Sequence, residues 1–266
     1  MIRIHIRLLQ YAATLCITRR PSRNAARVFS SGMLIAGLFS ASGLVAASPA
    51  HPAGRAYFAQ EDPSVAARQV ADWVIDSKDN RGLPFLIVDK RNARSFVFDA
   101  TGNIKGAASV LLGSAVGDDS APGIGDKKLA AILPNERTTP AGRFVANLDR
   151  DLHGKEILWI DYDAAISLHR VIISNPKEQR AQRLDSPTTD DNRISFGCIN
   201  VPVDFYVNVV SPAFKKSGIV YVLPETRSLH ETFAFYDVSE QARTPVPPSP
   251  VQAVGSLPAD RMIRLR

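Results

Sequence analysis

Cys198 and His169 are the two side chains of this 266-residue chain that could together make and break an acyl bond. A thiolate attacks a carbonyl, but an unperturbed thiol near pKa 8.5 is mostly protonated at neutral pH, so the nucleophile needs a base within reach. Cys198 stands in "RISFGCINVP" (193–202), where Ile194 enters as a strand, Gly197 permits a tight backbone and Val203 opens the next element after Pro202. A side chain on such a strand-to-helix turn projects from the sheet, and the N–H groups around Gly197 and Cys198 are placed to bind an oxyanion. Free cysteines are also among the most buried residues. The thiol is therefore read as structural by composition and as a nucleophile by position.

The histidines sort by context. His5 lies in a basic head, His51 in a linker, His153 in the polar turn "DLHGK" and His230 in "RSLHET". His169, in "AISLHRV", is the one polar ring in an apolar strand ahead of the cysteine segment. A strand histidine alone is more often structural. Beside a turn cysteine it becomes the candidate base. The remaining histidines and acids lack ligand spacing, so neither a metal nor a cofactor is expected.

Charge narrows the partners. The formal charge is +6, but six arginines within residues 1–47, a stretch without acids, carry all of it, and the remaining 26 bases match 26 acids. A neutral body removes the electrostatic case for nucleic acid. The basic head runs into "MLIAGLFSASGLVAA" (33–47), too short to span a bilayer, with Val45 and Ala47 as small residues at a cleavage site. Residues 1–47 thus read as a signal peptide, with no stable membrane span after processing and a periplasmic or envelope location. Cys16 leaves with it, which excludes an intramolecular disulfide and leaves Cys198 a lone thiol in an oxidising compartment.

The elements must bring Cys198 and His169 together. Residues 48–61 read as a linker, and "DPSVAARQVADWVIDSKDN" as a helix capped by Asp62 or Ser64, completing a leading segment over 48–82. Strands follow at 84–90, 94–100 and 107–113 as a meander, then at 138–148, 155–162 and 164–173. The charged stretch before the cysteine reads as an inserted loop over 175–192, "VPVDFYVNVVSPAF" as a helix, and 218–225 and 232–238 as closing strands. Residues 239–266 are proline-rich and read as a disordered tail.

The order "TPAGRF", strand histidine, Ser-x-Gly-Cys-Ile-x resembles the L,D-transpeptidase (YkuD-type) catalytic domain over about residues 84–225, including Thr139, Pro140, Gly142 and Phe144. The resemblance implies a mainly β fold, an L,D-transpeptidase-like β-sandwich or meander with a few short helices, spanning 83–238. It implies that Cys198 is the acyl nucleophile, His169 its base, and Ser195 and Gly197 parts of the catalytic motif. The substrate would be a peptidoglycan stem tetrapeptide, cut after its third residue with loss of D-alanine. The acyl group would pass to an amine of another stem or of a wall-attached protein. Water as acceptor would make a carboxypeptidase or hydrolase, and loss of turnover would leave a wall-binding scaffold. A papain-like protease is disfavoured because here the histidine precedes the cysteine. Members commonly carry Gly after the histidine, His between Ser and Gly, and Arg two after the cysteine, whereas this chain has Arg170, Phe196 and Asn200. Arg170, Arg193, Phe196 and Asn200 are the expected substrate contacts.

If the head is an export signal, N-terminal sequencing of the exported protein will begin at Ser48. A mature start upstream of Met33 refutes cleavage after Ala47.

Overall fold

The Ser64 hydroxyl accepts the Ala67 N–H at 3.1 Å and so caps α1 (Val65–Ser77), which ends at Lys78 in the left-handed conformation. The protein is seen here as a computed structural model that describes residues 54 to 241. The expected signal peptide, residues 48–53 of the expected linker and residues 242–266 of the tail lie outside the described residues.

After α1 come β1 (Phe85–Asp89), β2 (Arg94–Phe98), β3 (Ile104–Ser109) and the short β4 (Leu112–Gly113). Three single 3-10 turns then lead to β5 (Gly142–Arg150), β6 (Glu156–Asp161) and β7 (Ile166–Arg170). Next are α2 (Arg180–Asp185), β8 (Arg193–Ser195) and β9 (Ile199–Val201). The helical stretch after Pro202 comprises α3 (Val203–Phe205), a π turn (Tyr206–Val210) and α4 (Ser211–Ala213). β10 (Gly218–Val222), α5 (Leu229–Thr232) and α6 (Val238–Gln241) complete the described chain.

Eight strands form one sheet in the order β3-β2-β1-β10-β5-β6-β7-β9, while β4 and β8 pair separately in parallel. Strand side chains alternate between faces, and a strand buried on both reads as an unbroken apolar run. Phe85, Ile87, Phe96, Phe98, Ile219 and Tyr221 pack in one cluster with Trp73 and Val74 of α1. Leu86, Val88, Val97, Val220 and Val222 pack in the other, with Leu168, Ile199, Tyr206 and Phe214. Just past β3, Leu111 exchanges backbone hydrogen bonds of 2.8 and 2.9 Å with Asn200 of β9, so the two ends of the sheet are tied together. The expectation of a mainly β fold with a few short helices is borne out.

Four local readings change. β3 begins at Ile104, inside what reads as a turn. Within the expected linker, Ala56 and Phe58 are buried, and the Phe58 ring stands edge-on to Phe96 and Phe98, because those strand aromatics need a cover on their outer face. The expected strand over 232–238 is absent: a Ser228–Glu231 capping box starts α5 instead, and Phe233 and Phe235 pack on Trp73 rather than pairing with a strand. The 175–192 insertion contains α2 instead of being loop throughout.

A buried ion network braces the side of the sheet behind the cysteine turn. The Lys90 ammonium, fully buried, donates to Asp118 Oδ1 at 2.8 Å and to the carbonyls of Gly117 and Thr139 at 2.6 and 2.9 Å, and lies 3.4 Å from Glu225. Glu225 also pairs with Arg193. Burial raises the Asp118 carboxyl, but hydrogen bonds from Lys90, Thr226 and nearby backbone N–H groups outweigh it and hold the pKa far below the usual range. Its contribution to stability is complete above its unfolded pKa of about 4 and fades as the pH falls below that. Replacing Lys90 by Met takes from Asp118 and Glu225 the cation they share, leaving Glu225 only the Arg193 cation and Asp118 only neutral donors, and is expected to cost about 3–5 kcal/mol in urea unfolding at neutral pH; an unchanged midpoint refutes the bracing role.

Candidate active site

β7 and β9 run parallel, with His169 opposite Asn200. The same register carries Ser167 to the level of Cys198, at the turn just ahead of β9. Ser167 and His169, two residues apart on a strand, project to the same side. Around the Cys198 sulfur lie the Ser167 hydroxyl at 3.6 Å and the Ala165 carbonyl, which can accept from the thiol, at 3.7 Å, and the His169 ring lines the same cleft. On the far side of the imidazole, Nδ1 is 2.8 Å from the Arg170 carbonyl oxygen. A carbonyl only accepts, so Nδ1 carries a proton and Nε2 is left for the sulfur.

Electrostatics follow from these contacts. Burial alone would push the Cys198 thiol up, but the His169 hydrogen bond and charge, with the two Ser167 donors, bring its pKa below the ordinary value. Burial would push His169 down, while its hydrogen bond to Cys198, the thiolate charge and the Arg170 carbonyl raise it above its ordinary value, against the charge of Arg180. Both directions move the balance toward a thiolate–imidazolium pair. The pair lines a cleft of about 760 Å³ whose walls carry Ile157, Trp159, Val171 and Val203, with Lys155 and Glu156 among its polar groups.

The turn that presents the sulfur is built from backbone constraints. Gly197 has φ of 128°, and a Cβ there would come within 2.8 Å of both the Thr138 carbonyl oxygen and Ile166 Cδ1. Only glycine fits without displacing them. Ser195 Oγ accepts the Gly197 N–H at 3.1 Å and donates to the Cys198 carbonyl at 2.6 Å. Thr139, fully buried, donates to the Gly197 carbonyl at 2.8 Å and accepts the Gly113 N–H at 2.9 Å. Lys90 holds the Thr139 carbonyl in turn.

Of the residues expected from sequence, Cys198, His169 and Arg170 line the cleft. Arg170 donates to the Glu156 carbonyl at 3.0 Å and lies 4.2 Å from the Tyr206 ring centroid. Ser195 and Gly197 shape the turn, and the Gly197 N–H, expected as an oxyanion donor, is already taken by Ser195. Three expected substrate contacts are instead engaged within the protein. Arg193 pairs with Glu225 and donates to the Lys90 carbonyl, because β8 places it against the ion network. Phe196 packs on the core under the Arg137 guanidinium, 4.1 Å from its ring centroid. Asn200 is buried in β9, where its Oδ1 accepts from Arg180 at 2.8 Å and its Nδ2 donates to the Cys198 carbonyl at 3.3 Å. His153 is exposed in the β5–β6 turn, and His230 sits against Phe235.

Sequence reading missed Ser167, Arg180, Lys90 and Thr139 as contributors. For Ser167 a signal existed: it is the polar residue two before His169, hence on the same strand face. Thr139 stands in the quoted motif without a role, and Lys90 is a lysine ending an apolar strand. Arg180 has no local signal.

No family model matches the chain, and no curated protein matches it. Among solved structures, the catalytic domain of an Enterococcus faecium L,D-transpeptidase is 17% identical, with 53% of this chain and 96% of that one covered at a TM-score of 0.33. The helical cell shape determining protein Pgp2 of Campylobacter jejuni is 13% identical over 62% of this chain and 58% of its own, at 0.37. An L,D-transpeptidase of Xylanimonas cellulosilytica is 11% identical over 53% and 60%, at 0.33. The chain thus spans less than two thirds of the latter two. Likenesses of this size carry no argument, and the fold is read from the chain's own strand order.

The coupling of Cys198 to His169 predicts a thiolate absorbance, taken as the difference from Cys198→Ser, that titrates below the ordinary thiol range. His169→Gln should move that midpoint upward, since it removes both a donor and a positive charge. His153→Gln should leave it in place. The reverse pattern assigns the base to the wrong histidine.

Proposed function

We propose that the protein is an exported, cysteine-dependent acyltransferase of the L,D-transpeptidase type, acting on peptidoglycan stem peptides. The observation that carries the reading is the polarised Cys198–His169 pair lining a cleft of peptide size. The sequence resemblance supplies the substrate class.

In this reading the Cys198 thiolate attacks the carbonyl of the third residue of a stem tetrapeptide. The tetrahedral oxyanion is held by the Cys198 N–H, since Ser195 occupies the Gly197 donor. Collapse breaks the peptide bond, and the His169 imidazolium gives its proton to the departing D-alanine amine. The acyl group remains on Cys198 as a thioester. Neutral His169 then deprotonates an incoming amine, from a neighbouring stem or a wall-attached protein, and the thiolate leaves again. Arg170, the one expected substrate contact that lines the cleft, is assigned to a donor carboxylate. No cofactor takes part in the scheme.

Incubation with tetrapeptide stems ending in D-alanine should release D-alanine and give an acyl mass shift on the protein that Cys198→Ser lacks. Transfer to an added amine marks a transpeptidase, and water as sole acceptor marks a carboxypeptidase. If no stem gives either signal while the protein still binds intact peptidoglycan, the scaffold reading replaces this one.

A further inference from the structure

We infer that Ser167 is a third side chain of the reacting centre, whose hydroxyl holds the Cys198 sulfur as an anion and thereby tunes how nucleophilic that sulfur is. The inference rests on the reading of Cys198 as a nucleophile. Ser167 is 4% exposed, between the buried Ile166 and Leu168, and lines the cleft beside Cys198. A buried hydroxyl requires a partner, and the one it has is the sulfur at 3.6 Å.

The two protonation states of the cysteine use different neighbours. As a thiol, Cys198 can donate to the Ala165 carbonyl at 3.7 Å. A thiolate has nothing to donate and accepts from its surroundings, where the Ser167 hydroxyl is at 3.6 Å. Ser167 thus supplies the anion with a side-chain donor that substitution can remove. The charged groups that face this pair are His169 and Arg170 from β7, Glu156 from β6, Arg180 from α2, and Asp151 and Lys155 at the cleft rim. All remain when Ser167 is altered.

Donors to a thiolate act in two opposed ways. They raise the thiolate fraction at low pH, and they make each thiolate less nucleophilic, since nucleophilicity falls with basicity at a Brønsted slope of about 0.4–0.5. Loss of the hydroxyl should therefore slow Cys198 where the thiol is mostly protonated and speed it where the thiol is fully ionised. For a roughly tenfold loss of acidity, the expected change is about threefold slower at low pH and about threefold faster at high pH. A merely structural serine gives no such crossing.

The test uses the full chain carrying Cys16→Ser and a small pyridyl disulfide. Cys198 forms a mixed disulfide with one half of the probe, its S–S bond breaks, and the other half leaves as a chromophoric thiolate. Rates are measured across pH for Ser167, Ser167→Ala and Ser167→Thr. The expected result is crossed profiles for Ala against Ser, with Thr, which keeps the hydroxyl, following Ser. Ala profiles that superpose on those of Ser, or lie below them at every pH, overturn the inference. The probe needs no stem peptide, so crossed profiles without acyl transfer would refute the proposed function alone, and acyl transfer with uncrossed profiles would refute only the role of Ser167.

Discussion

β7 and β9 pair in parallel, and a parallel pair cannot be joined by a tight turn. The chain leaving β7 must cross back before it can enter β9, which takes a dozen or more residues. That requirement sets a minimum of about a dozen residues, and the 29 positions from His169 to Cys198 exceed it and hold α2 and β8. The pairing also fixes which side chains meet. A slip of one residue would turn His169 and Ser167 to the opposite face and leave the sulfur against Leu168 or Ile166. Register is held by the apolar contacts of Leu168 and Ile199, both fully buried. The chemistry at the cleft is in this sense set by hydrophobic packing one residue away.

The electrostatic balance is local and two-sided. The imidazole is steadied through Nδ1 by the Arg170 carbonyl, a backbone group that a side-chain substitution at position 170 leaves in place. Arg180 works against the imidazolium, yet it is fixed by Glu178 at 2.5 Å and by Asn200, which spreads its charge into an ion pair. Asn200 therefore has a structural reason to be where it is: it ties the inserted α2 to β9 and supports the carbonyl of the nucleophile itself.

Local features of the sequence were readable because they report on nearest neighbours. The Ser64 cap, the apolar runs of β1 and β2 and the Gly197 turn each depend on residues a few positions apart. His169 and Cys198 could be paired by type and order. What the sequence hid was the use of polar residues across long separations. Arg193 looks like a substrate contact until Glu225 is folded beside it, and Phe58 looks like part of a linker until Phe96 and Phe98 lie beneath it. The run "TFAFYDV" has strand composition, but Trp73 offers its aromatics a packing surface and leaves no strand to pair with. Export and the tail concern residues 1–47 and 242–266, beyond the described residues.

The contact between Leu111 and Asn200 limits how a peptide can be recognised. Extended peptides are often captured as an extra strand, their main chain completing the hydrogen bonds of an exposed sheet edge. β9, the end strand that follows the nucleophile, has its outward N–H and C=O at Asn200 already satisfied by Leu111. A peptide reaching Cys198 has no ladder to join there. If the proposed peptide substrate binds here, its grip would come from its side chains, its charged ends and the apolar walls of the cleft, and selectivity would rest on what its residues are rather than on its being extended.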